Sequence, residues 1–331
     1  MHELQFLILT VIVLALVFDF INGFHDTANA IATSVSTRAI KPAHAIIMAA
    51  VLNFLGAIYS TGVAKTIGGD IVASAEMVDE HIIIAALMGS IIWNLFTWYV
   101  AMPSSSSHAL VGGIIGAVLV STGSTGLNFI GIGKIVLSLI ASPLLAIFSG
   151  FIVMTVLFLL FGQFAPSALN GRFKKMQILS AAAMAFSHGS NDAQKSMGII
   201  TLALLSGGYL SSFEVPDYVK FLCAAAMACG TALGGWRIIR TIGGKIFKLE
   251  PISGFAADLN SSIVIFSATL LHLPVSTTHV VSGSIMGVGT AKRIRAVRWG
   301  VAQQMLVAWV LTIPCTAVMG ALAYQIVLWI F

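Results

Sequence analysis

Apolar runs fill most of this 331-residue chain, and they decide what it can become. They cover 4–22, 43–65, 82–102, 109–120, 134–162, 178–205, 218–236, 259–273, 280–291 and 299–331. Many reach about 20 residues, the length a helix needs to cross a bilayer. Only 9% of the residues are charged, against about 25% in a soluble domain, so no polar surface can be built. The runs are too long and too uniformly apolar for barrel strands. An all-α integral membrane protein follows, with the lipid bilayer as its solvent and the cell membrane as its place. The first run, Leu4 to Phe18, has no basic start and reads as a retained segment rather than a cleaved leader. The formal charge of +5 sits in short clusters between runs, so nucleic acid is not a partner. Cys223, Cys229 and Cys315 lie in apolar stretches without a CxxC spacing; neither zinc nor a disulfide framework is indicated.

Four polar interruptions carry the chemistry. They are Asn22 to Asn29 (NGFHDTAN), Pro103 to His108 (PSSSSH), Ser187 to Lys195 (SHGSNDAQK) and Pro274 to His279 (PVSTTH). Each is expected to break a membrane helix. They form two pairs. Pro103–Gly116 aligns without a gap on Pro274–Gly287 at an offset of 171, and His25-Asp26 aligns on Asn191-Asp192 at an offset of 166. Repetition of two motifs in order and spacing marks an internal duplication. The expected division is a first repeat over 1–134, a connecting helix and cytoplasmic loop over 135–177, and a second repeat over 178–331.

Loop charge orients the repeats. Segment 66–80 holds Asp70, Glu76, Asp79 and Glu80 and no Lys or Arg; its counterpart 237–250 holds Arg237, Arg240, Lys245 and Lys248 against Glu250. Basic loops stay in the cytoplasm, so equivalent loops face opposite sides and the repeats are inverted. The uncharged segment 121–133, the basic cluster Lys292, Arg293, Arg295 and Arg298, and the loop with Arg172, Lys174 and Lys175 fit the same assignment. Segments 82–120 and 251–291 then leave and return on one side. Each becomes a re-entrant helical hairpin with its Pro–hydroxyl–His motif at the turn. Inverted repeats of broken helices converging inside the membrane are the signature of a secondary transporter.

Ser104, Ser105, Ser106 and Ser107, and Ser276, Thr277 and Thr278, precede apolar helical sequence and read as N-caps behind a helix-stopping proline. Two opposed helix N-termini with free N–H groups would hold a compact oxyanion. Asp26 and Asp192 are carboxylates in membrane segments, each costing about 2.5–3.5 kcal/mol to insert, and so are functional candidates. Asn29, Asn191, Ser190 and Gln194 add oxygens that suit a hard cation or a hydrogen-bond-donating substrate. Lys195 offsets anion charge or snorkels. Asp19 and Asp258 have no acidic counterpart; each reads equally as a proton or cation ligand or as the partner of a cationic group. His108 and His279 match each other, for tip orientation or for proton transfer. Asn53 and Asn94 read as interhelical hydrogen-bonding residues.

These motifs resemble the inorganic phosphate transporters of the PiT type. That family's duplicated Gly-Ala-Asn-Asp-like signature is similar to Gly23–Ala30 and to Gly189–Lys195, and its paired proline–hydroxyl–histidine motifs to Pro103–His108 and Pro274–His279. The likeness covers essentially the whole chain. It implies symport of inorganic phosphate with a cation, with Asp26, Asp192 and the hairpin hydroxyls near substrate and ions. His25 stands where sodium-coupled members carry Asn, Asn53 where animal members carry Glu, and Asp258 where Glu is usual. Imidazole is a poor sodium ligand and titrates near neutrality. A proton or a neutral metal–phosphate complex is therefore favoured over sodium, with His25, Asp26, Asp192 and Asp258 as the cation or proton groups. No cofactor is called for, no specific metal site is assigned, and a homo-oligomer is compatible with the sequence. Sulfate is the alternative cargo, but it cannot donate a hydrogen bond to an aspartate at neutral pH. An intramembrane hydrolase needs its nucleophile once, whereas these motifs come in pairs, so an enzyme is not expected. A passive anion channel would differ from a symporter in ignoring an imposed ion gradient.

Overall fold

The computed structural model describes residues 2–234 and 236–330. The side chain of Arg237, one of the basic residues counted above, and Phe331 lie outside the described residues. The described chain folds into α1 (His2–Ser36), α2 (Pro42–Ala57), α3 (Gly62–Gly69), α4 (Glu80–Tyr99), α5 (Ser106–Ser121), α6 (Phe129–Phe161), α7 (Pro166–Asp192), α8 (Gln194–Ser206), α9 (Asp217–Leu233), α10 (Trp236–Gly244), α11 (Pro251–Leu270), α12 (Thr277–Lys292) and α13 (Trp299–Ile330). Among the described residues α1, α4, α6 and α13 are long and apolar enough to cross a membrane. Two bent pairs, α2 with α3 at 71° and α9 with α10 at 76°, are long and apolar enough only when each pair is taken together, as a broken span or a re-entrant loop. The chain is a multi-pass membrane protein.

The halves correspond element by element. Helices α4 and α11 have 20 residues each, and α5 and α12 have 16. Sixteen residues extend about 24 Å, short of the ~30 Å hydrocarbon core, so α5 and α12 reach only part-way across. Helices α6 and α13 have 33 and 32 residues and carry prolines at matching places, Pro143 and Pro314. Segment 135–177, expected from the sequence as a connector, thus holds most of a helix with a counterpart in the other half. Packing is exchanged between halves: α1 lies on α9 and α7 on α2, while α5 lies on α13 and α12 on α6.

One expected break does not occur. Helix α1 runs unbroken through Asn22–Asn29. No proline interrupts its amide ladder, and Thr27 Oγ1 turns back to the Gly23 carbonyl inside the helix. The matching motif breaks only at Ala193, between α7 and α8. Both motifs need their glycine for close approach. A Cβ at Gly23 would meet the Met227 carbonyl at 2.3 Å, and one at Gly189 the Asn53 carbonyl at 2.1 Å.

Two apolar cores flank the polar layer. The first takes Leu7 to Phe18 of α1, the second Ala28 to Ala32. Asp19, Asn22, His25 and Asp26 lie between them, all buried.

Candidate functional site

Each hairpin turn is built the same way. Helix α4 ends with Ala101 in the left-handed region, φ 55°, and α11 with His272, φ 59°. The amide of Ala101 bonds to the Trp98 carbonyl and that of Met102 to Thr97; the amides of His272 and Leu273 bond likewise to Thr269 and Ala268. Pro103 and Pro274 follow and prevent further helix. The next helices start on Ser105 and Ser276, whose hydroxyls accept from the amides of His108 and His279 at 3.2 and 3.3 Å. Both residues are thus N-caps. Ser106, Ser107, Thr277 and Thr278 form the first turns, where backbone N–H groups are free for an anion.

The two tips meet. Ser107 Oγ donates to the Val275 carbonyl at 2.8 Å, and the rings of His108 and His279 lie 4.5 Å apart. Both histidines are buried beside the tips, and His279 stacks on Trp309 at 4.0 Å.

The paired aspartates lie under these tips. Asp26 accepts from Thr278 Oγ1 at 3.2 Å and from Ser106 Oγ at 3.4 Å. Asp192 accepts from Thr277 Oγ1 at 3.2 Å and from Asn22 Nδ2 at 3.4 Å, and pairs with Lys195 Nζ at 2.9 Å. Each carboxylate therefore touches the second hairpin, and Asp26 touches both. Asn29 Nδ2 donates to Thr278 and Thr277 at 2.9 and 3.3 Å. Lys195 Nζ donates to Ser106 at 3.4 Å.

Other predicted residues support the site from outside it. Asn191 fixes the second tip: its Nδ2 donates to Thr269 and to the Leu273 carbonyl, and its Oδ1 accepts from the Val275 amide at 3.3 Å. Ser104 donates to Thr97 Oγ1 at 2.8 Å, and Thr97 also meets His25 Nε2 at 3.3 Å. Gln194 faces away. Its Oε1 accepts from the amides of Val63 and Ala64, satisfying the start of α3. Asp258 is removed from the aspartate pair and accepts from Thr33 at 2.5 Å. Thr33 lies seven residues beyond Asp26, about 10 Å along α1. Asp19 lies seven residues before it, buried, with the side chains of Ser196 and Cys223 beside its carboxylate.

Two functional candidates were missed in the sequence. His188 sits one turn before Asp192, with Nε2 3.6 Å from the carboxylate. Its Nδ1 lies 3.1 Å from Asn53 Oδ1, and Asn53 Nδ2 donates to Thr231 Oγ1 at 2.9 Å. That second bond fixes Asn53 Oδ1 as an acceptor, so Nδ1 of His188 carries the proton and the Nε2 lone pair faces inward when the ring is neutral. Asp26, His188 and Asp192 then bring three ligand atoms within 4.8 Å of one another, a candidate set for a cation. Asn22, donating to Asp192, occupies the place in α1 that His188 occupies in α7. The 166-residue offset that aligns the aspartates also aligns this pair, and that was the available signal.

Residues 22–320 match the phosphate transporter family. Among curated relatives, the chain is 51% identical to a "Probable low-affinity inorganic phosphate transporter" of Bacillus subtilis, covering 100% of both chains. It is 46% identical to one of Rhizobium meliloti, covering 96% of each. A solved structure described as "The sodium-dependent phosphate transporter" superposes with a TM-score of 0.90 at 26% identity, over 98% of this chain and 100% of that one. The chain belongs to the phosphate transporter family, whose members are membrane transporters rather than enzymes.

Proposed function

We propose that this chain is a secondary symporter that imports inorganic phosphate with a coupling cation, and that a proton or a divalent metal–phosphate complex is favoured over sodium. Phosphate lies between the first turns of α5 and α12, where free N–H groups and the hydroxyls of Ser106, Thr277 and Thr278 converge from opposite hairpins. Asp26 and Asp192 accept from its protonated oxygens or hold the cation. The inverted-repeat reading carries over, with α6 placed in the first repeat as the counterpart of α13.

The observation that carries the cation preference is the contact of His25 Nδ1 with Asp26 Oδ1 at 2.7 Å. At that distance one proton lies between the imidazole and the carboxyl, whichever of the two carries it. A proton is built into the place where a sodium ligand would stand. The inward Nε2 of His188 adds a nitrogen donor within reach of Asp26, which suits a divalent metal better than sodium.

Sodium coupling is the second reading, favoured by the likeness to the sodium-dependent structure. Labelled phosphate uptake into proteoliposomes separates the two. Replacing sodium by choline leaves uptake intact on the first reading; collapsing the proton gradient or chelating divalent metal reduces it. Uptake that needs sodium and ignores the other two establishes the second. A parallel arm with labelled sulfate tests the cargo.

A further inference from the structure

Asn29 and Lys195 stand at the same place in the two halves. The 166-residue offset that relates Asp26 to Asp192 relates them too. Their reach is also equivalent. Asn29, three residues after Asp26, extends to Thr277 and Thr278 at the tip of the second hairpin. Lys195, three residues after Asp192, extends to Ser106 at the tip of the first, and Ser106 aligns with Thr277 at the hairpin offset of 171.

The chemistry at the two places differs. Asn29 spends its amide hydrogens on the threonines and leaves Oδ1 buried without a partner among the described residues. That is an uncommitted oxygen beside a carboxylate, as a mobile cation would need. Lys195 instead sets an ammonium 2.9 Å from Asp192 Oδ1. Its side chain is fully buried and anchored in the first turn of α8. An unpaired carboxylate in such a place is costly. One seat offers oxygens to a passing ion; the other already holds a positive charge that cannot leave.

We infer that Lys195 is a resident cation, occupying at Asp192 the seat that a mobile coupling cation would otherwise take. The transport cycle then carries its cation at the Asp26 side, beside the free oxygen of Asn29, while Asp192 stays neutralised by the chain. Lys195 in this way sets how many mobile cations accompany each phosphate. The inference rests on the symport reading above.

The test converts the second seat into a copy of the first. Wild type, Lys195→Asn, Lys195→Gln, Lys195→Met and Lys195→Arg are reconstituted as the full chain, and labelled phosphate uptake is measured at fixed pH in sodium chloride and in choline chloride. Wild type and Lys195→Arg are expected to differ less than twofold between the salts. Lys195→Asn is expected to run at least tenfold faster in sodium, because its amide oxygen and the bared Asp192 now hold that ion. Lys195→Met, with no oxygen to offer, is expected below a tenth of wild type in both. Sodium-dependent thermal stabilisation of the purified variants reads the same seat without transport, appearing in Lys195→Asn beyond that of wild type. Lys195→Gln repeats both readouts if the shorter amide does not fold. A folded amide variant indifferent to sodium in both assays overturns the inference. If wild type itself requires sodium, the readout is the sodium Hill coefficient, expected to rise from about one to about two in Lys195→Asn; no rise overturns it. Wild type that takes up no phosphate under any gradient sinks the symport reading instead.

Discussion

Ser107 Oγ donates to the carbonyl of Val275 at 2.8 Å, so the tip of one hairpin is hydrogen-bonded to the backbone of the other. Both groups are buried. Ser107→Ala leaves that carbonyl unpaired at a cost of about 1–3 kcal/mol. The variant is expected to unfold at a lower temperature in detergent and to bind phosphate with a raised apparent KM. Ser107→Thr keeps the hydroxyl and should recover most of both. An unchanged KM in Ser107→Ala would separate tip contact from substrate binding.

Asp26→Asn and Asp192→Asn are each expected to abolish phosphate uptake while the protein stays folded and monodisperse in detergent. Asp26 gathers His25, Ser106 and Thr278, and Asp192 gathers Lys195, Thr277 and Asn22. An amide fits most of these contacts sterically but removes the charge they answer. Uptake at wild-type rate in either variant would leave the aspartate pair without a role.

Thr277→Val and Thr278→Val remove one hydroxyl each without changing shape. Losing a hydrogen bond to a charged group costs about 1.5–3 kcal/mol, or roughly ten- to a hundredfold in affinity. Phosphate KM measured in proteoliposomes is expected to rise within that range for each variant. Ser276 accepts from the His279 amide as a helix cap, so Ser276→Ala should lower thermal stability more than it changes KM.

Much of this arrangement was legible in the sequence because it comes in pairs. The prolines at 103 and 274, the hydroxyl runs behind them and the two aspartates repeat with their spacing, and repetition reveals function where a single motif would not. Helix continuity was less legible. Asn22–Asn29 is polar enough to suggest a break, yet polarity alone does not stop a helix when the side chains find tertiary partners and no proline intervenes. The role of Gln194 was hidden for a related reason: its amide reaches Val63 and Ala64, about 130 positions away, and nothing local to the motif announces that helix end. His188 was within reach, one turn from Asp192, but its inward nitrogen depends on Asn53 and Thr231, which only the packed structure brings together.

Sidedness has a direct check. In a background with Cys223, Cys229 and Cys315 replaced, a cysteine at the exposed position 76 is expected to react with an impermeant maleimide on intact cells. A cysteine at the exposed position 245 should react only after permeabilisation. Labelling of both from one side would remove the inversion of the two halves.

Ala101 holds a left-handed backbone, φ 55°, that costs a residue with a Cβ about 1–2 kcal/mol. Ala101→Gly relieves it and is expected to raise the unfolding temperature by a few degrees with little change in uptake. A fall in unfolding temperature would show that the Ala101 methyl contributes more by packing than its backbone costs.

The exchanged packing of α1 on α9 and α7 on α2 bears on how the chain is made. A ribosome completes α1 about 180 residues before it begins α9, an interval of roughly 10–40 s at ordinary synthesis rates. Through that time Asp19, Asn22 and Asp26 are in the bilayer without their eventual neighbours. Helix α4 and its hairpin arrive sooner and already offer Thr97 and Ser106 to the polar face of α1. The nascent first half can thus shelter part of its own charge until the second half arrives, and the order of the helices along the chain acts as an assembly schedule.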